Sequence, residues 1–249
     1  MVRARMRFPE GPRPRSLAHR GAAGHAPENT LAGFRKAAAL GATWVEFDVH
    51  LSLDGVPVLL HDDTLDRTTD GKGPVGNFAI GTLRGYDAGR WYSETFEGER
   101  IPTLSEAVRL LAALGMGANV EIKPSPGREA ATGHATGRLL REEWPGDLPP
   151  PLVSSFTPAS LAAIREVAPH YPRGLLLSRI GRDWGDRMRA LDCATLHCDH
   201  RNLDAKLATE IRRAGYPLLC YTVNDAARAK TLYGWGVDSV ISDHPDRIL

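Results

Sequence analysis

Apolar residues in this chain come in short runs, and the stretches between the runs are Ala-rich and polar with helical spacing. The first run, residues 16–21, precedes a predicted helix over about 28–40. Runs at 44–51 and 56–61 follow, and then a long stretch, about 62–100, dense in Gly, Thr and Asp. Thr103 and Glu106 stand in capping-box spacing and predict a helix start near Thr103. From there the alternation is regular. A strand at 118–123 leads to a polar helical region reaching about Trp144, and Pro149-Pro150-Pro151 breaks the chain. Strands at 152–156, 174–177, 195–199, 218–223 and 239–242 follow, with helices between them.

Strands alternating with helices imply a parallel sheet. With 56–61 set aside, eight strand units fit into 249 residues, the usual size of one closed (β/α)8, or TIM, barrel. An open dinucleotide-binding sheet is the weaker reading, because no Gly-x-Gly-x-x-Gly follows the first strand. We expect a single domain over 16–249, with one small insertion after the second strand region, at about 62–100, over the barrel mouth. Residues 1–15, basic and Pro-rich, are expected to form a loose tail.

Composition contributes exclusions. Hydrophobic residues make up 42% and charged residues 24%, an ordinary balance for a packed soluble domain. A net charge of +1 removes the case for a nucleic-acid partner driven by global charge. No stretch approaches the roughly 20 apolar residues of a membrane span. No apolar run follows the basic N-terminal residues as it would in a signal peptide. Cys193, Cys198 and Cys220 are odd in number, match no zinc spacing and read as buried reduced thiols. The expected location is therefore cytoplasmic, with no stable membrane association.

The chemistry gathers where a barrel keeps its active site, at the C-terminal ends of the strands. The first strand ends in His19-Arg20-Gly21, the second carries Glu46-Phe47-Asp48, and the next parallel strand ends in Glu121-Ile122-Lys123. Side chains alternate along a strand, so Glu46 shares a face with Asp48, and Glu121 with Lys123. Val45, Phe47 and Val49 alternate with the acids, which argues against a merely solvated face. Buried carboxylates need a partner, and an all-oxygen set of three suits a hard divalent cation, Mg²⁺ or Ca²⁺. Asp54-Gly55 reads as a two-residue hairpin turn, which would pair Asp48 with His61 across the ladder and return His61 to the level of the acids. The alternative is that His61 only caps a loop beside Asp62 and Asp63. Two histidines for proton transfer, a cation site and a basic residue for phosphate, Arg20 or Lys123, are the equipment of phosphodiester cleavage. Trp91, Tyr92 and Phe96 are candidates either for lining a cleft or for packing the insertion, and His197 and His200 for facing the mouth. Ser154 and Ser155 sit in no Gly-x-Ser-x-Gly elbow, which excludes the usual serine-hydrolase arrangement. Asp199 and Asp243, also at strand ends, receive no role.

At these residues the chain resembles the glycerophosphodiester phosphodiesterase family. The matching pieces are Ala18-His19-Arg20-Gly21, Ala26-Pro27-Glu28-Asn29-Thr30-Leu31, Val45-Glu46-Phe47-Asp48 and Leu60-His61-Asp62-Asp63-Thr64-Leu65-Asp66-Arg67-Thr68. Ile101-Pro102-Thr103-Leu104, Asn119-Val120-Glu121-Ile122-Lys123-Pro124, Ser154-Ser155-Phe156, Tyr221-Thr222-Val223-Asn224 and Gly236-Val237-Asp238 continue the series. Arg173-Gly174-Leu175-Leu176-Leu177 and the Trp184 region resemble the bacterial cytosolic, UgpQ-type branch. The resemblance implies a TIM barrel of the phospholipase-C-like phosphodiesterase type. It implies hydrolysis of glycerophosphodiesters, such as glycerophosphocholine and glycerophosphoethanolamine, to sn-glycerol 3-phosphate and an alcohol. By the same resemblance His19 and His61 form the acid/base pair, Glu46, Asp48 and Glu121 hold the metal, and Arg20 and Lys123 bind phosphate. The family mechanism it implies runs through attack by the glycerol 2-hydroxyl and a cyclic phosphate that water then opens, with direct attack by water as the alternative. One departure is visible: Ala22-Ala23-Gly24-His25 stands where relatives are often richer in glycine. Two rival readings are a related barrel acting on lysophospholipids and a non-catalytic barrel that keeps the metal and phosphate sites. The first is disfavoured by the lack of an amphipathic basic helix, the second by a complete set of histidines and carboxylates.

Overall fold

In the computed structural model, which describes residues 14–248, every run predicted to be a strand is one. The strands are β1 (Ser16–His19), β2 (Trp44–Leu51), β3 (Pro57–Leu59), β4 (Gly117–Ile122), β5 (Leu152–Ser155), β6 (Arg173–Leu177), β7 (Thr195–Asp199), β8 (Leu218–Tyr221) and β9 (Ser239–Ser242). The helices are α1 (Leu31–Ala39), α2 (Ile80–Leu83), α3 (Leu104–Leu114), α4 (Glu129–Glu143), α5 (Pro158–Val167), α6 (Trp184–Ala190), α7 (Ala205–Arg213) and α8 (Ala226–Gly234). Eight strands pair in parallel in the order β1-β2-β4-β5-β6-β7-β8-β9, and β9 returns to β1. The sheet is thus a closed TIM barrel. β3 lies outside it, antiparallel to β2.

The helix boundaries follow from capping chemistry. α1 starts at Leu31 because Thr30 Oγ1 accepts from the Gly33 amide at 3.1 Å, and Asn29, with φ of 56°, cannot be helical. The predicted capping box forms at α3, where Thr103 and Glu106 each accept the other's backbone amide. α3 ends at Gly115, whose φ of 66° favours glycine.

Apolar side chains fill two belts between strands and helices. One runs through Phe34, Phe47, Leu111 and Ile164, the other through Leu175, Met188, Leu196 and Leu232. Inside the barrel, Leu17, Trp44, Leu152, Leu219 and Ile241 form a plug below the mouth. Large interior residues are seated against glycines on the next strand. A Cβ on Gly117 would lie 2.3 Å from the Trp44 ring, and one on Gly174 would lie 2.6 Å from His197 Nε2. Arg173 is fully buried at the start of β6. Its guanidinium donates to the carbonyl oxygens of Tyr171 and Asp192 and to the Asp192 carboxylate, tying two loops together beneath the barrel.

The hairpin differs from its predicted register. Val49 pairs with Leu59, His50 with Val58 and Leu51 with Pro57, one position away from the expected pairing of Asp48 with His61. The cause is the turn. Ser52 N–H donates to Val56 O, so three residues and not two make the loop, with Gly55 at φ 81°. Asp48 therefore faces Leu60, whose amide donates to Asp48 O at 3.3 Å, and His61 leaves the ladder as the first loop residue.

The segment between β3 and α3 carries a small core of its own, built from Val58, Leu60, Leu65, Val75, Leu83, Ala88 and Ile101. Trp91, Tyr92 and Phe96 stack edge to face on one another, at 5.7 Å between successive rings, and do not line the barrel mouth. Of the predicted tail, residues 1–13 lie outside the described residues. Pro14 and Arg15 already join the barrel, their carbonyls accepting from Ser239 Oγ and Tyr233 OH.

Candidate active site

Parallel register brings the acids together. His19 stands beside Glu46 across β1 and β2, and Asp48 beside Glu121 across β2 and β4. One oxygen each from Glu46, Asp48 and Glu121 fall within 4.8 Å of one another. The three residues are only 2%, 1% and 9% exposed, so water does little to neutralise them. His19, Arg20, His61 and Lys123 line the same cavity of about 430 Å³, so all seven predicted site residues converge.

The electrostatics show what the cluster lacks. Burial, and then the charges of Asp48 and Glu121, push the Glu46 carboxyl well above its usual range. Burial, and then Asp48, raise Glu121 to about 8. For Asp48, burial acts upward but is outweighed by Arg20, His61 and Lys123, which hold its carboxyl below the usual value. Protein cations therefore compensate one carboxylate and leave the other two short of positive charge. A divalent ion fits this set: three converging oxygen donors, buried and under-compensated, with hard-cation chemistry.

Several of these side chains are held from behind. Asn29 donates from Nδ2 to Asp48 Oδ2 at 2.9 Å, and its Oδ1 accepts the Asp48 amide at 3.1 Å. Asn29 reaches both partners from a left-handed backbone, which asparagine tolerates. Arg20 is also left-handed, with φ of 51°, and its amide donates to Glu46 Oε2. A non-glycine residue held there stores about 1–3 kcal/mol of strain, a feature that concentrates at functional sites. The Arg20 guanidinium sits 2.8 Å from Glu28 and 3.4 Å from Asp48, and these carboxylates keep it charged despite burial.

The two histidines are each bonded to a carboxylate. His19 Nδ1 donates to Asp243 Oδ1 at 2.6 Å, and its Nε2 points toward Glu46, 3.9 Å away. Asn224 fixes Asp243 by donating to Oδ2 and accepting its amide. His61 Nδ1 donates to Asp62 Oδ1 at 2.6 Å. Arg67 forks onto Asp62 and Glu28 together, so one chain of charges runs Arg20–Glu28–Arg67–Asp62–His61. Burial lowers the His61 pKa and favours its neutral form near neutral pH.

Sequence reasoning left several of these partners without a role. Asp243 closes the last strand, and only barrel closure places it beside the first. Arg67 and Glu28 are 39 positions apart in the chain, so no local spacing reveals the pair. Phe156 and Tyr221 meet edge to face at 5.9 Å on the rim, with Asp199, His200 and Arg201 across the mouth. His197 does not reach the mouth: it is fully buried inside the barrel and bonded to Thr195 Oγ1. Ser155 donates to Ile122 O and serves the backbone, not a nucleophile's role.

A model of the Glycerophosphoryl diester phosphodiesterase family matches residues 19–247. A glycerophosphodiester phosphodiesterase of Caldanaerobacter subterraneus subsp. tengcongensis is 35% identical, the alignment covering 94% of this chain and 95% of that protein. A glycerophosphodiester phosphodiesterase of Bacillus subtilis is 30% identical over 93% of this chain and 84% of its own length. Among solved structures, a phosphodiesterase of Oleispira antarctica in complex with the product sn-glycerol-3-phosphate superposes with a TM-score of 0.92 at 43% identity. It covers 94% of this chain and 95% of that one.

Proposed function

The chain belongs to the glycerophosphoryl diester phosphodiesterase family and hydrolyses glycerophosphodiesters, and we propose that His19 and His61 move the protons of that reaction while Glu46, Asp48 and Glu121 hold a divalent cation. The convergence of two carboxylate-bound histidines on one buried triad of acids carries this reading. The products are sn-glycerol 3-phosphate and the alcohol of the head group.

A cation bound by the three carboxylates supplies positive charge to the phosphoryl oxygens. The protein's own groups do the rest. Arg20 and Lys123 bind phosphate oxygens, Arg20 held in place by Glu28. One histidine takes the proton of the attacking glycerol 2-hydroxyl as the other gives a proton to the departing alcohol oxygen, which leaves a cyclic phosphate; with the roles reversed, the pair takes a proton from water and returns one to the 2-oxygen as water opens the ring to sn-glycerol 3-phosphate. With Nδ1 of His19 donating to Asp243, and Nδ1 of His61 donating to Asp62, each ring keeps Nε2 for the proton transfer. The buried floor of Leu176 and Ile241 keeps water from the reacting centre on one side. Mg²⁺ and Ca²⁺ both match the oxygen donors.

We assign the protein to the cytoplasm on its three buried free thiols. Among the described residues no helix is long and apolar enough to cross a membrane, and the substrate read here is a soluble diester. The test is release of glycerol 3-phosphate from glycerophosphocholine and glycerophosphoethanolamine with Mg²⁺, with Ca²⁺ and with EDTA, beside micellar lysophospholipid. Turnover of the soluble diesters that EDTA abolishes is expected. Turnover in EDTA, or on lysophospholipid alone, overturns the reading.

A further inference from the structure

A second group of ligand atoms lies at the mouth of the barrel, apart from the catalytic carboxylates. His25, from the turn after β1, and His244 and Asp246, from the turn after β9, place one donor atom each within 4.8 Å of the others. His25 Nε2 stands 3.4 Å from His244 Nδ1 and 2.8 Å from Asp246 Oδ1. The geometry points to a transition-metal site of two imidazoles and one carboxylate, with Zn²⁺ as its natural occupant.

Distances and chemistry both favour this. Zn–N bonds of about 2.0–2.1 Å in a tetrahedron put two ligand nitrogens about 3.4 Å apart, the spacing of His25 and His244. The carboxylate oxygen, at 2.8 Å from His25, needs to open by only about half an ångström to take a third vertex. Imidazole nitrogen selects Zn²⁺, Ni²⁺ or Cu²⁺ over the hard Mg²⁺ and Ca²⁺, so the two sites of this chain differ in taste. The side chains of His25 and Asp246 are 24% and 34% exposed, enough for an ion to enter and for water to fill the remaining position.

The backbone is shaped for the contact. Gly24 leaves room for the His244 ring, since a Cβ there would lie 2.2 Å from the ring. The Gly24 amide donates to Asp243 O, so the two turns are already joined, and the His244 amide donates to Ser242 Oγ within its own turn. His244 directly follows Asp243, the residue that holds His19. A metal here pins the two turns together just behind that pair.

The experiment separates this site from the catalytic one. Zn²⁺ is titrated calorimetrically into a Glu46→Gln/Glu121→Gln protein, which lacks two of the three carboxylates, and Co²⁺ is bound to the same protein for its visible spectrum. We expect one Zn²⁺ per chain, a tetrahedral Co²⁺ spectrum, no competition from excess Mg²⁺ and a higher thermal midpoint with Zn²⁺. His244→Ala or His25→Gln in that background is expected to weaken Zn²⁺ binding by more than about 100-fold, at least the loss seen when supporting groups of metal sites are removed. A flat titration, or binding that both variants leave unchanged, overturns the site. The far-ultraviolet spectra of the metal-free variants show whether each has folded. The outcome does not depend on hydrolysis, so it stands or falls apart from the catalytic reading.

Discussion

Two of the three buried carboxylates, Glu46 and Glu121, have too little positive charge, so the protein should lose stability as pH rises, and a bound cation should cancel the effect. Glu121 shows the size of this. Its carboxyl is raised from 4.5 to about 8, chiefly by burial and then by Asp48. A raised carboxyl makes the folded state bind the proton more tightly than the unfolded chain does. Its contribution is complete below pH 4.5 and is lost as pH climbs through about 8. Between pH 6.5 and 8 the unfolded carboxyl is ionised while the folded one goes from protonated to half ionised, so stability falls by about 1.4 kcal/mol per pH unit at first and by half that at pH 8, or about 1.6 kcal/mol over that window. Glu46 is shifted in the same direction and adds to the loss. His50, His61, His197 and His200, each lowered chiefly by burial, act with the opposite sign; their unfolded imidazoles are half protonated at pH 6.5, so they offset the loss at the lower edge of the window and little of it above pH 7.2. The assay is urea unfolding of EDTA-treated protein at pH 6.5, 7.2 and 8, repeated with saturating Mg²⁺ or Ca²⁺ and repeated with Glu121→Gln. Between pH 7.2 and 8 the cation-free protein should lose on the order of 1 kcal/mol, the cation-bound protein much less, and Glu121→Gln should flatten the slope by removing one acid and relieving Glu46. A cation-free protein whose stability holds level or rises between pH 7.2 and 8 would refute the reasoning, as would a Glu121→Gln slope equal to the wild-type slope.

The other predictions concern positioning and the barrel floor. Asp243→Asn keeps the shape beside His19 but removes the charge. It should lower kcat by about 10²-fold, the low end of what general acid–base catalysis supplies, shift the pH–rate profile and leave KM nearly unchanged. An unaltered profile with full kcat would remove Asp243 from the positioning of His19. Arg173→Met should cost about 3–5 kcal/mol in urea unfolding, because the carbonyls of Tyr171 and Asp192 lose a buried charged donor. A loss under about 1 kcal/mol would mean that water replaces the guanidinium.

Much of the site was legible along the chain because it is written in short strands. His19, Glu46, Asp48, Glu121 and Lys123 each lie on or just past a strand, and alternation decides which side chains share a face. A parallel barrel then sends those faces to one end. His61 was harder. Whether it reached the site depended on the turn at Asp54-Gly55, and the observed three-residue loop shifted the ladder by one position. The residue still arrived in the cavity, as a loop residue held by Asp62 rather than as a ladder partner of Asp48. The supporting partners were not legible. Nothing local in the chain joins Asp243 to His19 or Arg67 to Glu28, because their separations of 224 and 39 positions are closed only by the fold.

The sequence by itself determined the barrel and the kind of chemistry at its mouth, since hydrophobic period and residue type are local properties that survive without coordinates. Tertiary structure decided the register of the hairpin, the burial that raises Glu46 and Glu121, and the meeting of the first strand with the last. Those depend on how far each group sits from water and from its neighbours, and only chain closure sets such distances.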